Sequence, residues 1–331
     1  MQIGAPSMAV QSVDQPEELD LTGFHLHNLA DVTVPPDLLV LDLMTNRLRE
    51  LEPPILSLTG LQRLSLRQNL LTDASNLSQA NFKPTLQALV LHDNQLTEIP
   101  QLAGYTALQT LEVSYNSISS LQPLTSLQST SLKELYVANN AVQHIEAVDH
   151  MTNLRLLELG SNKLRQIQGL GTLHSLQELW LGQNRITNMS GLNQLTTLRT
   201  LSLQSNRLTS MVGFGSCIHL EELYLSHNGI STLEELERVP NLRVLDVSNN
   251  RLTVVSGLET LQCLKDLWLN DNHIESLEAI EAAAREGGLS STLTCLYING
   301  NPAASQSGAD LKGRMLMAFP KLEQLDDTMI T

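Results

Sequence analysis

The side chains that could move protons, bind a metal or attack a substrate are plentiful here, but they are badly spaced for catalysis. The nine histidines are scattered, with no pair at helical spacing to share an ion. Cys217, Cys263 and Cys295 form an odd set without CxxC spacing, which argues against a zinc site or a disulfide framework and suits a reducing compartment. No GxxxxGK(S/T), HExxH, GxSxG or calcium-loop pattern occurs. Gly169-Leu-Gly171 lacks the third glycine of a dinucleotide fingerprint and reads as a turn. His227, just before Asn228, reads as a turn residue rather than a catalytic base. Asn76-Leu-Ser78 and Asn188-Met-Ser190 match the glycosylation pattern, which is common by chance, and read as ordinary surface residues. The expectation is a protein that is not an enzyme, with no catalytic residue, no cofactor and no metal.

A second set of side chains is spaced for binding. The middle residues of the recurring Leu-x-Leu triplets run Asp42, Ser65, Val90, Glu112, Tyr136, Glu158, Trp180, Ser202, Tyr224, Asp246, Trp268 and Tyr297. Five of the chain's eleven Phe, Trp and Tyr residues fall in this column, including both tryptophans, where chance would place fewer than one. Two residues earlier stand Glu134, Glu178, Glu222 and Asp266. Aromatics are favoured in strands, but that alone explains neither the absence of phenylalanine from the column nor the flanking acids. Amphipathic rings beside carboxylates are anchors for a protein partner, one with a basic or mixed surface. Arg63 and Arg67 form a small basic spot near the opposite end, suited to a separate acidic contact.

The elements that position this column follow from a repeat. Leucine supplies 67 of 331 residues. The pattern LxxLxLxxNxL starts at Leu38 and recurs to a twelfth copy at Leu293. Its asparagines are Asn46, Asn69, Asn94, Asn116, Asn140, Asn162, Asn184, Asn206, Asn228, Asn250, Asn272 and Asn301, 22 residues apart from Asn140 to Asn272. The longer steps, 29 residues at the last, must bulge from loops without shifting the strands. The period-two leucines of each copy specify a short strand with its leucines on one face. The asparagine can satisfy the backbone of the following turn, so that stacked copies form a ladder. Apolar residues about three apart, as in Ile167, Leu170 and Leu173, suit a helical or 3₁₀ return. One coil cannot bury its own leucines, whereas stacked coils share a core.

The fold class expected is therefore α/β: a curved leucine-rich-repeat solenoid with a parallel concave sheet and short helical or 3₁₀ turns on the convex side. Residues 1–17 read as a flexible tail and 18–302 as the solenoid, comprising a degenerate first coil with Phe24 at the asparagine site and twelve repeats. Residues 303–331 read as a cap. Within it Asn301-Pro302 stops the array, Ala309 to Phe319 forms a helix, and Leu322 and Leu325 close the core. Strands roughly 4.8 Å apart place Tyr297 about 40 Å from Glu112, a span that grips a folded domain. The net charge of −15 and pI near 4.9 argue against nucleic acid and anionic membrane as partners. No apolar run approaches the ~20 residues of a membrane helix, and the first residues do not read as a secretory signal.

The words LGSNKLRQIQGL, LSLQSNRLTS, ELYLSHNGI, LDVSNNRL and LWLNDNHIESL, in that order, with the ending FPKLEQLD, resemble the protein phosphatase 1 regulatory subunit 7 family over about residues 19–331. The resemblance implies a non-enzymatic regulator that binds the catalytic subunit of protein phosphatase 1 through its concave face. It also implies a third, inhibitor subunit, a role in chromosome segregation, residence in nucleus and cytoplasm, and a chain that is monomeric by itself. The family's contact positions carry over to Glu112, Tyr136, Glu158, Trp180, Asp246, Asp266, Trp268 and Tyr297. The family often has aspartate at the first of these, phenylalanine at Tyr136 and Trp180, and glutamate at Asp266. Competing readings are a leucine-rich-repeat adaptor for another intracellular complex, ciliary or spliceosomal, and a surface adhesion protein of the internalin kind.

Overall fold

The structure, a computed structural model, describes residues 17–127, 130–286 and 288–330. The expected tail lies outside the described residues except for Glu17, whose carbonyl accepts the amides of Leu39 and Val40.

Among the described residues, the Leu-x-Leu segments form three-residue strands that stack in chain order into one parallel sheet. The strand Glu178–Trp180 shows why. Leu179 points into the core with no exposure, while Glu178 and Trp180 stand on the opposite, concave face. Its neighbours place Leu157, Leu179 and Leu201 side by side, so the leucines of successive coils meet in one layer. At the entry to each strand one carbonyl serves two amides. Arg155 O accepts Gln177 N at 2.8 Å and Glu178 N at 2.9 Å, and the same pairing recurs coil after coil.

The asparagines do form the ladder. Asn162 donates Nδ2–H groups to Leu159 O at 3.1 Å in its own turn and to Val137 O at 2.9 Å in the preceding coil. Its Oδ1 accepts Val142 N at 2.9 Å. The same three contacts repeat at each of the twelve asparagines, through Asn301. Burying a carboxamide costs several kcal/mol when it goes unbonded, so only a fully engaged Asn is tolerable at this depth. The residue before each ladder asparagine is left-handed: Thr45, Gln68, Asp93, Tyr115, Asn139, Ser161, Gln183, Ser205, His227, Asn249 and Asp271 all have φ between 51° and 57°, and Gly300 has φ 70°. His227 is thus a turn residue, as its place in the repeat implies. Asn, Asp, Ser and His recur there because they tolerate this backbone better than branched apolar residues.

The convex side carries the expected 3₁₀ segments in some coils, such as Leu236–Arg238 and Leu258–Thr260, and isolated turns in others. Ile167, Leu170 and Leu173 are buried, but residues 163–177 contain no helix. The i→i+3 bonds Leu173 N–Leu170 O and Leu176 N–Leu173 O recur every third residue instead of consecutively, giving separate turns. Longer coils use their extra residues for 3₁₀ segments, at Ser75–Gln79 and Gln122–Ser126. The 29-residue step holds the helix Glu278–Glu286. The strands keep register across it, with Trp268 opposite Tyr297. Gly169 and Gly191 have positive φ, and a Cβ there would lie 2.8 Å and 2.2 Å from the carbonyl oxygens of Ile145 and Ile167. Gly169-Leu-Gly171 is therefore a turn that lets coils approach. Asn76 is less superficial than expected, since its Nδ2 donates to Leu51 O of the preceding coil at 2.7 Å.

Both ends need correction. Phe24 does not occupy a ladder site; it is 65% exposed, and the Asn46 carboxamide spans the gap by accepting Leu26 N and donating to Leu21 O. Nor does Asn301-Pro302 end the sheet. Pro302–Ser307 and Asp310–Ala318 are helices, after which Gln324–Leu325 adds one more parallel strand. Asp326 then caps the exit of the preceding strand, its Oδ1 accepting Ile298 N and Asn299 N, and Thr328–Met329 turns back antiparallel. Leu322 and Leu325 close the core as expected, and Phe319 is buried with them.

Replacing Asn184 by leucine leaves the amide of Leu164 and the carbonyls of Leu159 and Leu181 without their side-chain partner. We expect a loss of roughly 2–4 kcal/mol in a chemical denaturation curve. An unchanged midpoint would remove the ladder's energetic role.

Candidate partner-binding face

The concave column brings its rings together. Trp180 and Tyr224 stack at 6.1 Å and 21°, Tyr224 and Trp268 lie at 6.5 Å, and Trp268 meets Tyr297 edge-on at 6.0 Å. Trp180 and Tyr224 are separated by one strand, whose column residue is Ser202, and Tyr224 and Trp268 by another, whose column residue is Asp246. Those two short side chains are buried, at 0% and 5% exposure, which lets the larger rings close over them. Four half-buried rings thus make one continuous aromatic floor. Tyr136 lies further toward the N-terminus, beyond Glu158.

The acids two residues earlier hold the polar tips of these rings. Trp180 Nε1 donates to Glu178 at 3.2 Å, Tyr224 OH to Glu222 at 3.2 Å and Tyr136 OH to Glu134 at 3.5 Å. Each pair shares one strand and one face, because side chains alternate with period two. Burial, with the charges of Glu134, Glu112 and Glu158, pushes the Tyr136 hydroxyl up to about 12. Burial and Glu222 raise Tyr224 to about the same value. Both phenols therefore stay protonated and remain donors. Trp268 breaks the pattern. Its partner position holds Asp266, one methylene shorter, and Trp268 Nε1 is buried with no hydrogen-bond partner. The neighbouring Cys295 thiol is too weak an acceptor to replace a carboxylate.

The column acids divide into two kinds. Glu112 accepts Ser114 N at 2.9 Å and lies 3.4 Å from His92 Nδ1; Asp246 accepts Ser248 N at 3.0 Å and Ser248 Oγ at 2.7 Å. Both close the turn after their own strand, as Asp42 does with Met44 N. Glu158 has no such bond, and burial together with the nearby Glu112 raises its carboxyl above the ordinary value. Asp266 is raised as well, by burial, with Lys265 opposing. A hollow of about 350 Å³ is lined by Glu112, Glu158, Trp180 and Ser202 among others. A second, of about 340 Å³, lies among Asp246, Ser248, Trp268, Asn270 and Tyr297.

All eight expected contact residues therefore belong to one sheet face. Asp246 is the least available of them, lying beneath the rings and engaged with Ser248. Tyr224 is the residue whose role was underestimated: it stood in the column but not among the eight, and it is the ring that joins the two tryptophans. Its signal was the repeated Glu-Leu-aromatic triplet it shares with Tyr136 and Trp180. Arg63 and Arg67 are exposed at the opposite end of the sheet. Among the described residues no helix is long and apolar enough to cross a membrane, and no cluster of His, Cys, Asp and Glu suits a metal ion.

Family models agree with this architecture. The model "Leucine rich repeat" matches residues 84–142, 106–164 and 196–252, and "Leucine Rich repeats (2 copies)" matches 152–194 and 240–282. Together they cover more than half of the 331 residues. The chain is a leucine-rich-repeat protein. Among curated relatives, this leucine-rich-repeat chain is similar to a protein phosphatase 1 regulatory inhibitor subunit PPP1R7 homolog of Arabidopsis thaliana, with 48% identity over 159 residues. That match spans 47% of this chain and about half (48%) of the relative's length. Mouse Toll-like receptor 9 is 34% identical over 152 residues, or 44% of this chain and 14% of the receptor. Among solved structures, an internalin (inlF) from Listeria monocytogenes superposes with a TM-score of 0.81 and 26% identity, covering 94% of this chain and 86% of that one. The Leptospira interrogans leucine-rich-repeat protein LIC12759 gives 0.68 and 25%, covering 87% and 78%.

Two expectations test the floor. Asp266→Glu supplies Trp268 Nε1 with the acceptor that Glu178 gives Trp180, and should stabilise the fold by on the order of 1 kcal/mol. A melting temperature equal to or below that of the wild type would show that the indole does not need it. The second concerns Glu158. A carboxyl raised in the fold contributes stability that is fully present below its unfolded value and lost as pH climbs through its folded value. Carboxyls held low, such as Asp73 with its Ser75 bonds, lose their contribution only below the ordinary carboxylate range. Glu158→Gln should therefore raise the melting temperature at pH ~7.5, with the advantage shrinking by pH ~5. A pH-independent difference would rule out the raised carboxyl as its cause.

Proposed function

We propose that this chain is a non-enzymatic regulatory subunit that binds the catalytic subunit of protein phosphatase 1 through its concave face, and that it works in nucleus and cytoplasm. The observation that carries the reading is the 48% identity to a relative named as a phosphatase 1 regulatory inhibitor subunit homolog. The face supports it physically. Trp180, Tyr224, Trp268 and Tyr297 offer rigid apolar area whose ordering costs little on binding. The polar tips of Trp180 and Tyr224 are already satisfied by Glu178 and Glu222, so a partner need not desolvate loose donors at those two rings. Glu158, without a bond to its own turn, is the carboxylate best placed to meet a basic group. The rings recognise shape, and the acids select a basic or mixed surface and speed encounter. A third, inhibitor subunit is compatible with a floor of this length.

The test is calorimetric titration of purified phosphatase 1 catalytic subunit with the full chain and its variants. Trp180→Ala and Trp268→Ala should each weaken binding by about 2 kcal/mol, roughly thirty-fold, with melting curves showing a folded solenoid. Arg251→Ala, on an exposed position just past a ladder asparagine, should change affinity little. Folded tryptophan variants that bind as well as the parent would take the phosphatase off the concave face. No binding by the parent chain would favour the adaptor reading.

A further inference from the structure

The residue that enters each strand forms its own column along one edge of the sheet. It reads Gln109, Lys133, Arg155, Gln177, Arg199, Glu221, Arg243 and Lys265 from the fifth sheet strand onward. In a chain of net charge −15, this edge is strongly basic. Two of its arginines already share a carboxylate: Glu221 pairs with Arg199, and with Arg243 at 3.6 Å. Lys265 sits beside the Asp266 carboxylate, whose charge it favours against the larger opposing effect of burial. Lys133 and Arg155 differ. They stand on consecutive rungs, since Lys133 O accepts Arg155 N at 2.7 Å, and neither forms an ion pair with a carboxylate among the described residues. Lys133 Nζ rests on the neutral Gln109 Oε1 at 2.9 Å.

These two cations border a hollow of about 470 Å³, the largest of the surface hollows described above. Its lining includes Asn153, His174, Gln177 and Thr197, and it contains no carboxylate and no aromatic ring other than the His174 imidazole. Asn153 Nδ2 donates to Thr130 O and the Thr197 hydroxyl to His174 O and Leu176 O, each in the preceding coil, so the wall is held in place by the fold. The hollow lies at the sheet edge and is separate from the ring-lined floor.

We propose that this edge hollow binds a phosphorylated serine or threonine in a peptide segment of a partner protein. A phosphate group brings close to two negative charges and three acceptor oxygens into one small volume, which a guanidinium fork and an ammonium on adjacent rungs can engage together. Single-stranded nucleic acid fits less well. Its bases need ring faces to stack on, and the overall negative charge repels a long polyanion. The proposal does not rest on the phosphatase reading, because it uses neither the concave floor nor its rings.

The experiment is fluorescence anisotropy of the full chain with a rhodamine-labelled phosphoserine peptide on a neutral Gly-Ala background. The unphosphorylated peptide and a Glu-substituted peptide of matched charge serve as comparisons. Saturable binding about ten-fold or more tighter for the phosphopeptide than for either comparison is expected, and Lys133→Ala/Arg155→Ala should remove at least that factor. Both side chains are exposed, so melting should be unchanged, and Arg155→Lys should retain part of the binding. Trp268→Ala, which tests the phosphatase face, should leave the phosphopeptide titration as it was. Absence of saturable binding, equal binding of the matched-charge peptide, or an unaltered double variant would each overturn the proposal.

Discussion

The whole molecule depends on what happens to the polar backbone where each coil turns inward from its strand. That turn must be buried for the leucines of adjacent coils to touch, and its carbonyls and amides have no sheet partner. One carboxamide per coil resolves this by bonding its own turn and, twice over, the preceding coil, as Asn162 does through Leu159, Val137 and Val142. Aspartate lacks the donors and leucine lacks everything, so the position admits little else within the array. Beyond the last asparagine Asp326 serves differently, its Oδ1 capping the amides of Ile298 and Asn299 at the exit of the preceding strand.

Because the ladder locks register, everything counted from it lines up as well. The left-handed residue before each asparagine, the column inside each Leu-x-Leu and the column at the strand entry become three parallel stripes. Insertions are diverted to the convex side, where Ser75–Gln79, Gln122–Ser126 and Glu278–Glu286 absorb the longer steps without moving a strand. The regularity makes the concave face a rigid platform whose chemistry changes by side chain alone.

On that platform, identical residue types do different work. Glu178 and Glu222 hold ring tips, Glu112 and Asp246 close turns, and Glu158 is left with a raised carboxyl and no turn to close. Ser202 and Asp246 matter by being small enough to lie under rings two strands apart. The same distinction sorts the basic edge, where Glu221 spends Arg199 and Arg243 while Lys133 and Arg155 remain unpaired.

Leucine spacing and the recurring asparagine determined the solenoid, the sheet face of every column residue and the closing roles of Leu322 and Leu325, because each follows from a short-range period. Composition also singled out the aromatic column and its flanking acids. Tertiary structure decided what period cannot express. Ring contacts skip a strand, so the linking role of Tyr224 depends on the depth of Ser202 and Asp246 beneath it. The missing methylene at Asp266 matters only because Trp268 Nε1 is buried beside it. Phe24 occupies an asparagine register in the sequence, yet a phenyl ring cannot make the ladder's bonds, and it turns to solvent. The convex returns met the three-residue apolar spacing in two ways, with 3₁₀ segments such as Leu236–Arg238 and Leu258–Thr260 in some coils and separate turns in others, a choice the spacing alone does not make. Local pattern sets which face a residue occupies; the distance between coils sets which groups it meets there.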